Sequence, residues 1–395
     1  MAIGAAYDFD LVIVGAGVAG SALAAALAKR GGDSRVLILE QTRKSGAINR
    51  GDFLAPSHLE LLQEWGALEG LRARGAEPCW YDEIYDNNGR LLLRHDLNWD
   101  EGKYPYGLCL EHPEIENALL EAGATNPNLT VWRGARFEAL REQDDQGVTL
   151  RVEQDGREVL VRAAWVVAAD GRISRVRQEA GIESVMHPYP YEILMLRTPK
   201  PARWHQSSAQ FSGPGGYAGL FVVNGEQYRI GLVLPDGTAA DYLQRPEPER
   251  RAELARRSAA LARLPILWEH AHSYKLFWHH APTYVQNRVI LMGDSAHTFT
   301  PVLGMGMNLA LEDAHALAPL IATRAGLAGL TEAEVKRRYE AVRRPRNQRM
   351  LKTCNQQGAL FFEGHPVKHR LMALSMRTLA RFPQLQHPAF RMVYH

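Results

Sequence analysis

The chain has 395 residues, 46% hydrophobic and 23% charged, a balance that suits a large folded core and excludes a disordered or fibrous chain. Lys plus Arg (46) nearly cancel Asp plus Glu (44), and the net charge of +2 gives no general case for a nucleic-acid partner. The dispersed Cys79, Cys109 and Cys354 match neither a disulfide framework nor a Cys-x-x-Cys metal pattern, so a reducing, cytoplasmic setting without a metal is expected.

Taken in chain order, "DFDLVIVGAGVAGSALAAALAKRGGDSRVLILEQ" predicts a strand at Leu11 to Val14, a Gly-rich turn, a helix at about Val18 to Arg30 and a second strand at Val36 to Leu39. The strands are continuously apolar, as in a parallel sheet covered on both faces, and the Ala-rich helix can pack closely. The run from Leu11 to Leu27 is not a secretion signal, because Asp8 and Asp10 precede it and glycines interrupt it. No other segment approaches the roughly 20 apolar residues of a membrane span. Helices are predicted at Pro56 to Trp65 and about Pro113 to Ala122. A β-meander follows over Val148 to Ala169, turning at Asp155-Gly156. From Ser184 to about Pro282 the composition shifts to strands rich in Tyr, Trp and Phe, broken by a charged helix near Pro246 to Arg263, as expected of an inserted lobe. "RVILMGD" returns to a buried parallel strand, and the remainder reads as helical.

Gly15-x-Gly17-x-x-Gly20 lies between the first strand and helix, and Glu40 ends the next strand. Gly15 permits a tight turn, Gly17 lets a pyrophosphate approach the backbone, and Gly20 lets helix and strand pack. The pyrophosphate then meets the positive end of the helix, and Glu40 accepts from the ribose hydroxyls. This pattern predicts dinucleotide binding without choosing between NAD and FAD.

Two further segments, "ADGRISRVR" at 169–177 and "GDSAHTFTPVLGMGMN" at 293–308, complete a set whose order and spacing are specific. Together the three motifs, over about 300 residues, resemble those of the class A flavin monooxygenases. These are the para-hydroxybenzoate hydroxylase-like aromatic hydroxylases, including the ubiquinone-biosynthesis hydroxylases. The resemblance implies an α/β fold: a Rossmann-like FAD-binding domain (1–82, 105–183 and 283–345), an inserted β-sheet substrate domain (83–104 and 184–282) and a C-terminal helical region (346–395). It implies that Asp170-Gly171, followed by Ser174 and Arg177, lies near the FAD pyrophosphate and takes part in handling the nicotinamide. Gly293-Asp294 would bind the ribityl chain. Pro301 and Gly304 would stand beside the isoalloxazine as flavin-proximal positioning residues, with Gly304, Met305, Gly306, Met307 and Asn308 lining its edge. The helix beginning near Gly306 would aim its N-terminus at the ring, where reduction places negative charge. Arg50, followed by Gly51, would approach FAD, and His112 falls where relatives place an Arg or Gln near the pyrophosphate. Ala168 replaces a usual Gly, and Met305 replaces a usual Gln.

The implied reaction uses NADPH or NADH to reduce FAD and O2 to form a C4a-hydroperoxide, whose distal oxygen goes to an aromatic small molecule. A phenolic substrate reacts faster as its phenolate, so a base or positive field is expected near its hydroxyl. Tyr217, His205, Tyr228 and Arg197 in the inserted lobe are candidates, as is Asp52, while His279-His280 read as structural. Alternatives sharing the fold are a flavin halogenase, a geranylgeranyl-reductase-like enzyme, or a protein keeping FAD as the scaffold for a redox-neutral cyclisation. The last 32 residues, Gly364 to His395, hold five Lys/Arg and no Asp or Glu. Such a basic amphipathic segment suits either packing on the protein body or peripheral contact with an anionic membrane.

Overall fold

The computed structural model describes residues 8–44, 51–98 and 102–386. Its first sheet is built around Phe9–Val14, which pairs in parallel with Val36–Glu40 on one side and Arg157–Ala168 on the other. Val289–Leu291 adds in parallel beyond Arg157–Ala168, and Leu129–Arg133 beyond Val36–Glu40. The continuous apolar runs behave as expected of strands covered on both faces: Leu11, Ile13, Leu37, Ile38, Trp165 and Val167 are all fully buried. The meander forms as predicted. Val148–Gln154 returns as Arg157–Ala168 through Asp155 and Gly156, both at positive φ.

The register of this sheet builds the site. Val14 stands level with Leu39 and with Ala168, and Ala168 stands level with Leu291. The residues that follow these four, Gly15, Glu40, Ala169 and Met292, therefore emerge together at the carboxyl edge, where open parallel sheets bind ligands. Three motifs distant in sequence become neighbours through backbone pairing alone.

Helix Val18–Arg30 matches its predicted span, and the predicted helices near 56 and 113 run Pro56–Glu64 and His112–Gly123. The charged helix of the insertion is shorter than expected, Glu247–Arg257, because Ser258 takes an extended conformation; a single 3-10 turn follows at Leu261–Arg263.

The second sheet has eight strands in the spatial order His297–Thr298, Leu267–His280, His187–Pro199, Gln227–Pro235, Ala218–Val222, Ser207–Phe211, Tyr81–Tyr85 and Leu91–Asp96. It is antiparallel except where Ser207–Phe211 runs beside Tyr81–Tyr85. Helices Ala341–Phe362 and Pro366–Arg381 pack toward this sheet. Ser212 Oγ donates to the Phe361 carbonyl at 2.9 Å, and the Tyr217 and Phe362 rings lie 4.6 Å apart. Burying Phe361 and Phe362 there contributes about 2 kcal/mol each.

Candidate active site

One cavity of about 1130 Å³ runs from the carboxyl edge of the first sheet to the face of the second. At its first wall Gly15 has φ +104, and a Cβ there would stand 2.4 Å from the Ala169 carbonyl oxygen, so only glycine fits. A Cβ on Gly20 would meet the Gly15 carbonyl at 2.0 Å; its role is packing of helix against turn, and it does not line the cavity. Gly17 does line it, and its nearest neighbour would be Glu116 Oε1 at 3.5 Å. The backbone is therefore open toward the cavity at the N-terminus of helix Val18–Arg30.

Glu40 also faces the cavity. Its carboxylate accepts from the Ala16 N–H at 3.0 Å and from the Thr42 N–H and hydroxyl at 2.8 and 2.7 Å, which fixes its orientation beside the turn. His112 lines the cavity at the start of its helix, with Nε2 3.1 Å from Glu116 Oε1. The imidazole and Glu116 thus stand as a pair beside the glycine turn, a partner sequence reading missed. Arg50 lies outside the described residues.

Asp170 and Gly171 form part of the second wall, yet the Asp170 carboxylate is committed inward. It accepts from Ser174 Oγ at 2.5 Å and from the Val176 N–H at 3.0 Å, holding the start of helix Arg175–Glu179. Burial raises its pKa against those hydrogen bonds. Ser174 and Arg177 do not line the cavity; Ser174 caps the helix, and Arg177 Nη1 donates to the Ser295 carbonyl at 2.8 Å. Ser295 Oγ in turn donates to the Ala168 carbonyl at 2.6 Å, which fastens the second motif to the third.

In the third wall the Asp294 side chain faces the cavity and forms no hydrogen bond or ion pair with a described residue, while its carbonyl accepts from Thr298 Oγ1 at 3.2 Å and stands 3.0 Å from His279 Nε2. Gly293 holds φ +57 with Ala19 close behind it. Gly304, at φ +63, starts helix Met305–Ile321, and Pro301, Gly304, Gly306 and Met307 line the cavity. A Cβ on Gly306 would meet no protein atom within 4 Å. Met305 and Asn308 turn away from this space. Met305 is 1% exposed in the second core, and Asn308 is spent on the loop, with Oδ1 accepting from the Ala55 N–H and Nδ2 donating to the Phe53 and Gly304 carbonyls. The side chain at 305 therefore leaves no missing amide in the cavity wall.

Behind this wall lies a buried ionic group. Asp313 accepts from the Gly293 N–H at 3.0 Å and from Arg343 Nε at 2.7 Å, with His297 Nε2 also at 2.7 Å. Burial opposes its charge, but His297 and Arg343 overcome that and hold its carboxyl well below the usual range. Neighbouring Glu312, half-buried beside His58 and Arg343, is likewise held down against the cost of burial, at about 2. His279 and His280 are structural here: His279 is fully buried between Ser184 and the Asp294 carbonyl, and His280 meets the Tyr284 hydroxyl.

The far half of the cavity is floored by alternate residues of the second sheet, among them Ile193 and Met195, Ser208 and Gln210, and Arg229, Gly231 and Val233. Gly219 leaves room for the Phe221 ring, since a Cβ there would lie 2.3 Å from it. Among the described side chains of the polar candidates, Tyr217 alone reaches this chamber; that of Asp52 lies outside the described residues. Tyr228 is bonded to the Trp204 carbonyl, Arg197 is paired with Glu111 at 2.6 Å, and His205 is exposed. Asp82, unforeseen from the sequence, also lines it. Its strand, "YDEIY", reads as a mixed surface strand, and only the sheet register turns Asp82 inward.

The glycine turn, the Asp294 carboxylate and two helix N-termini fit the pyrophosphate, ribityl chain and ring of a flavin dinucleotide. A family model for an FAD binding domain matches residues 8–354. The chain is 32% identical over 348 residues to ubiquinone hydroxylase UbiL of Rhodospirillum rubrum, covering 87% of this chain and 79% of that one. It is 27% identical over 399 residues to 6-methylpretetramide 4-monooxygenase of Streptomyces rimosus, covering 98% and 92%. In fold it is similar to p-nitrophenol 4-monooxygenase PnpA from Pseudomonas putida DLL-E4, with a TM-score of 0.86 at 21% identity over 98% of both chains. The chain belongs to the FAD-binding-domain family and is an FAD-dependent monooxygenase of the para-hydroxybenzoate hydroxylase type.

Proposed function

We propose that this enzyme hydroxylates an aromatic compound that carries a ring hydroxyl and is polycyclic or quinone-like in size. The observation that carries this reading is the continuity of the cavity. At about 1130 Å³ it exceeds the roughly 300–1,000 Å³ of a single-ligand pocket and joins the dinucleotide cradle to an aromatic-walled chamber.

When bound, FAD would supply the redox chemistry, with NADPH or NADH as reductant and O2 as oxygen source. The chain's own work is binding, orientation and exclusion of water. The Gly15–Gly20 turn would offer backbone N–H groups to the pyrophosphate, Glu40 would accept from ribose hydroxyls, and Asp294 would accept from the ribityl chain. The N-terminus of helix Met305–Ile321 favours negative charge on the ring edge, and Phe53, Phe299 and Phe277 give the chamber walls that displace water. Incubating the holoenzyme with NADPH, O2 and a panel of phenols, quinolines and quinone precursors should yield a product with one added oxygen atom by mass spectrometry. A flavin that neither NADPH nor NADH reduces, with or without these compounds, would overturn the reading in favour of a redox-neutral role.

We also propose peripheral contact with an anionic membrane through helix Pro366–Arg381. Its inner residues Met376 and Leu379 line the cavity, while Val367, Leu371 and Leu374 point outward at 57%, 64% and 63% exposure among exposed Lys368, Arg370, Arg377 and Arg381. Among the described residues no helix is long and apolar enough to cross a membrane. Flotation with phosphatidylserine vesicles at low salt should carry the enzyme upward, and no co-migration would remove this reading.

A further inference from the structure

The floor of the substrate chamber holds a carboxylate that the cofactor cradle does not use. Asp82 stands level with Ser208 on one neighbouring strand and with His95 on the other. Its Oδ2 accepts from Gln210 Nε2 at 2.8 Å, and Gln210 Oε1 accepts from the Tyr217 hydroxyl at 3.1 Å. Its Oδ1 is enclosed and has no hydrogen-bond partner among the described residues. A buried carboxylate held by one amide hydrogen bond is costly to the fold, and a neutral residue would fill the same space at less cost.

Glu83, the next residue, turns the other way, toward the Tyr85 hydroxyl and Arg94. His95 faces Asp82 across the strand pair, and Cys79, Cys109, Tyr217 and Tyr274 complete the nearby cavity wall. Arg229 is three strands away along the same row, about 14 Å at the usual strand spacing, and lies 3.7 Å from Glu111.

We propose that Asp82 is the proton acceptor for the ring hydroxyl of the substrate, with Gln210 as its positioning residue. The substrate O–H bond breaks and its proton passes to the Asp82 carboxylate. The electron pair stays on the substrate oxygen, where it enriches the ring carbon that is hydroxylated, and the proton returns to that oxygen afterwards. This rests on the phenolic substrate class proposed above. Burial pushes the Asp82 carboxyl up to about 6, with Gln210 pulling against it and Glu83 adding to the rise, so the group is ionised at neutral pH while remaining a useful base.

The test titrates holoenzyme, Asp82→Asn and Gln210→Leu with 4-nitrophenol, whose neutral and ionised forms absorb at different wavelengths, from about pH 5 to about pH 8. In the unaltered enzyme Asp82, ionised above about pH 6, accepts the hydrogen bond of the bound probe's hydroxyl and its charge opposes that of the phenolate, so phenolate absorbance should rise only at a pH well above that value. Asp82→Asn removes that neighbouring charge, so the midpoint should fall by roughly one pKa unit and phenolate absorbance in this range should rise by up to about tenfold. Gln210→Leu should move the midpoint upward, because it removes the hydrogen bond that favours the ionised carboxylate; a merely structural glutamine would not move it. Equal absorbance in the unaltered enzyme and Asp82→Asn, no change in either, or an unmoved midpoint in Gln210→Leu overturns the proposal. FAD content and NADPH-driven flavin reduction, measured on the same preparations, report separately on the monooxygenase reading.

Discussion

Substituting Asp313, which touches no part of the cavity, should damage both stability and cofactor retention. The carboxylate is 0% exposed and faces four groups: the Gly293 N–H, Arg343 Nε, His297 Nε2 and Asn347 Nδ2. Asp313→Ala leaves Arg343 buried with half its compensation, since Glu312 remains at 2.5 Å, and strands the Gly293 N–H. Breaking a buried pair from one side costs about 3–5 kcal/mol, a third or more of the 5–15 kcal/mol that usually separates folded from unfolded. Urea denaturation of FAD-free protein should show the unfolding free energy falling by that amount, as a lower midpoint at unchanged slope. Asp313→Ala combined with Arg343→Met should lose less than the two single substitutions added together, because the double variant buries no lone charge. Because Asp313 also fixes the N–H of Gly293, the residue before Asp294, the single variant should release FAD more readily than its remaining stability predicts. A loss under about 1 kcal/mol, or strictly additive losses, would refute the coupling.

Asp294→Ala should keep the fold and lose FAD, because its carboxylate serves no described protein partner; undiminished flavin-to-protein ratio after gel filtration would contradict that assignment. Gly306→Ala should separate two effects of opposite sign. The methyl meets no protein atom within 4 Å and replaces a helical glycine, so FAD-free protein gains up to about 1 kcal/mol while FAD affinity falls. Thermal melts and flavin titration of one preparation would show both, and unchanged affinity would sink the placement of the ring edge. Acid should destabilise the protein through His279 and His280, which burial, chiefly, holds at about 4 when folded against 6.5 when unfolded. Their folded pKa values are depressed, so this stability is present above 6.5 and is lost as pH falls from 6.5 to about 4. The loss reaches at most roughly 3 kcal/mol each. His279→Asn should flatten that limb in urea titrations at stepped pH, and an unchanged slope would count against a neutral buried imidazole.

The cofactor half of the site was legible because its determinants are local. A tight turn needs Gly15, a close helix needs Gly20, and an apolar run ending in Asp needs a reason; each statement survives without knowing the rest of the chain. What sequence could not supply was side-chain direction. Across "LGMGMNLA" the helix starts at Gly304 in a left-handed conformation, and helical spacing then sends Gly306, Met307 and Ala310 to the cavity and Met305, Asn308 and Leu309 to the interior. Read as a flavin-proximal stretch, all of these residues look equivalent.

The substrate half was illegible for a different reason. Its floor is one face of a sheet whose neighbouring strands come from residues 81–85, 207–211, 218–222 and 227–235, and a one-residue slip in any pairing would exchange the lining set for its opposite. Polarity does not reveal the face, since the inward set contains Asp82, Ser208, Gln210 and Arg229. A sheet face lined this way departs from the apolar-inward rule in several places at once, and such departures mark where binding, rather than packing, selects the residue. The mixture also constrains what fits. A wholly apolar molecule would strand the Asp82 carboxylate, whereas one carrying a hydroxyl at that end satisfies it while laying its rings over Phe221. If Asp82 meets the substrate's hydroxyl as proposed, selectivity for hydroxylated over unsubstituted rings should follow from the cost of leaving a buried charge without a partner.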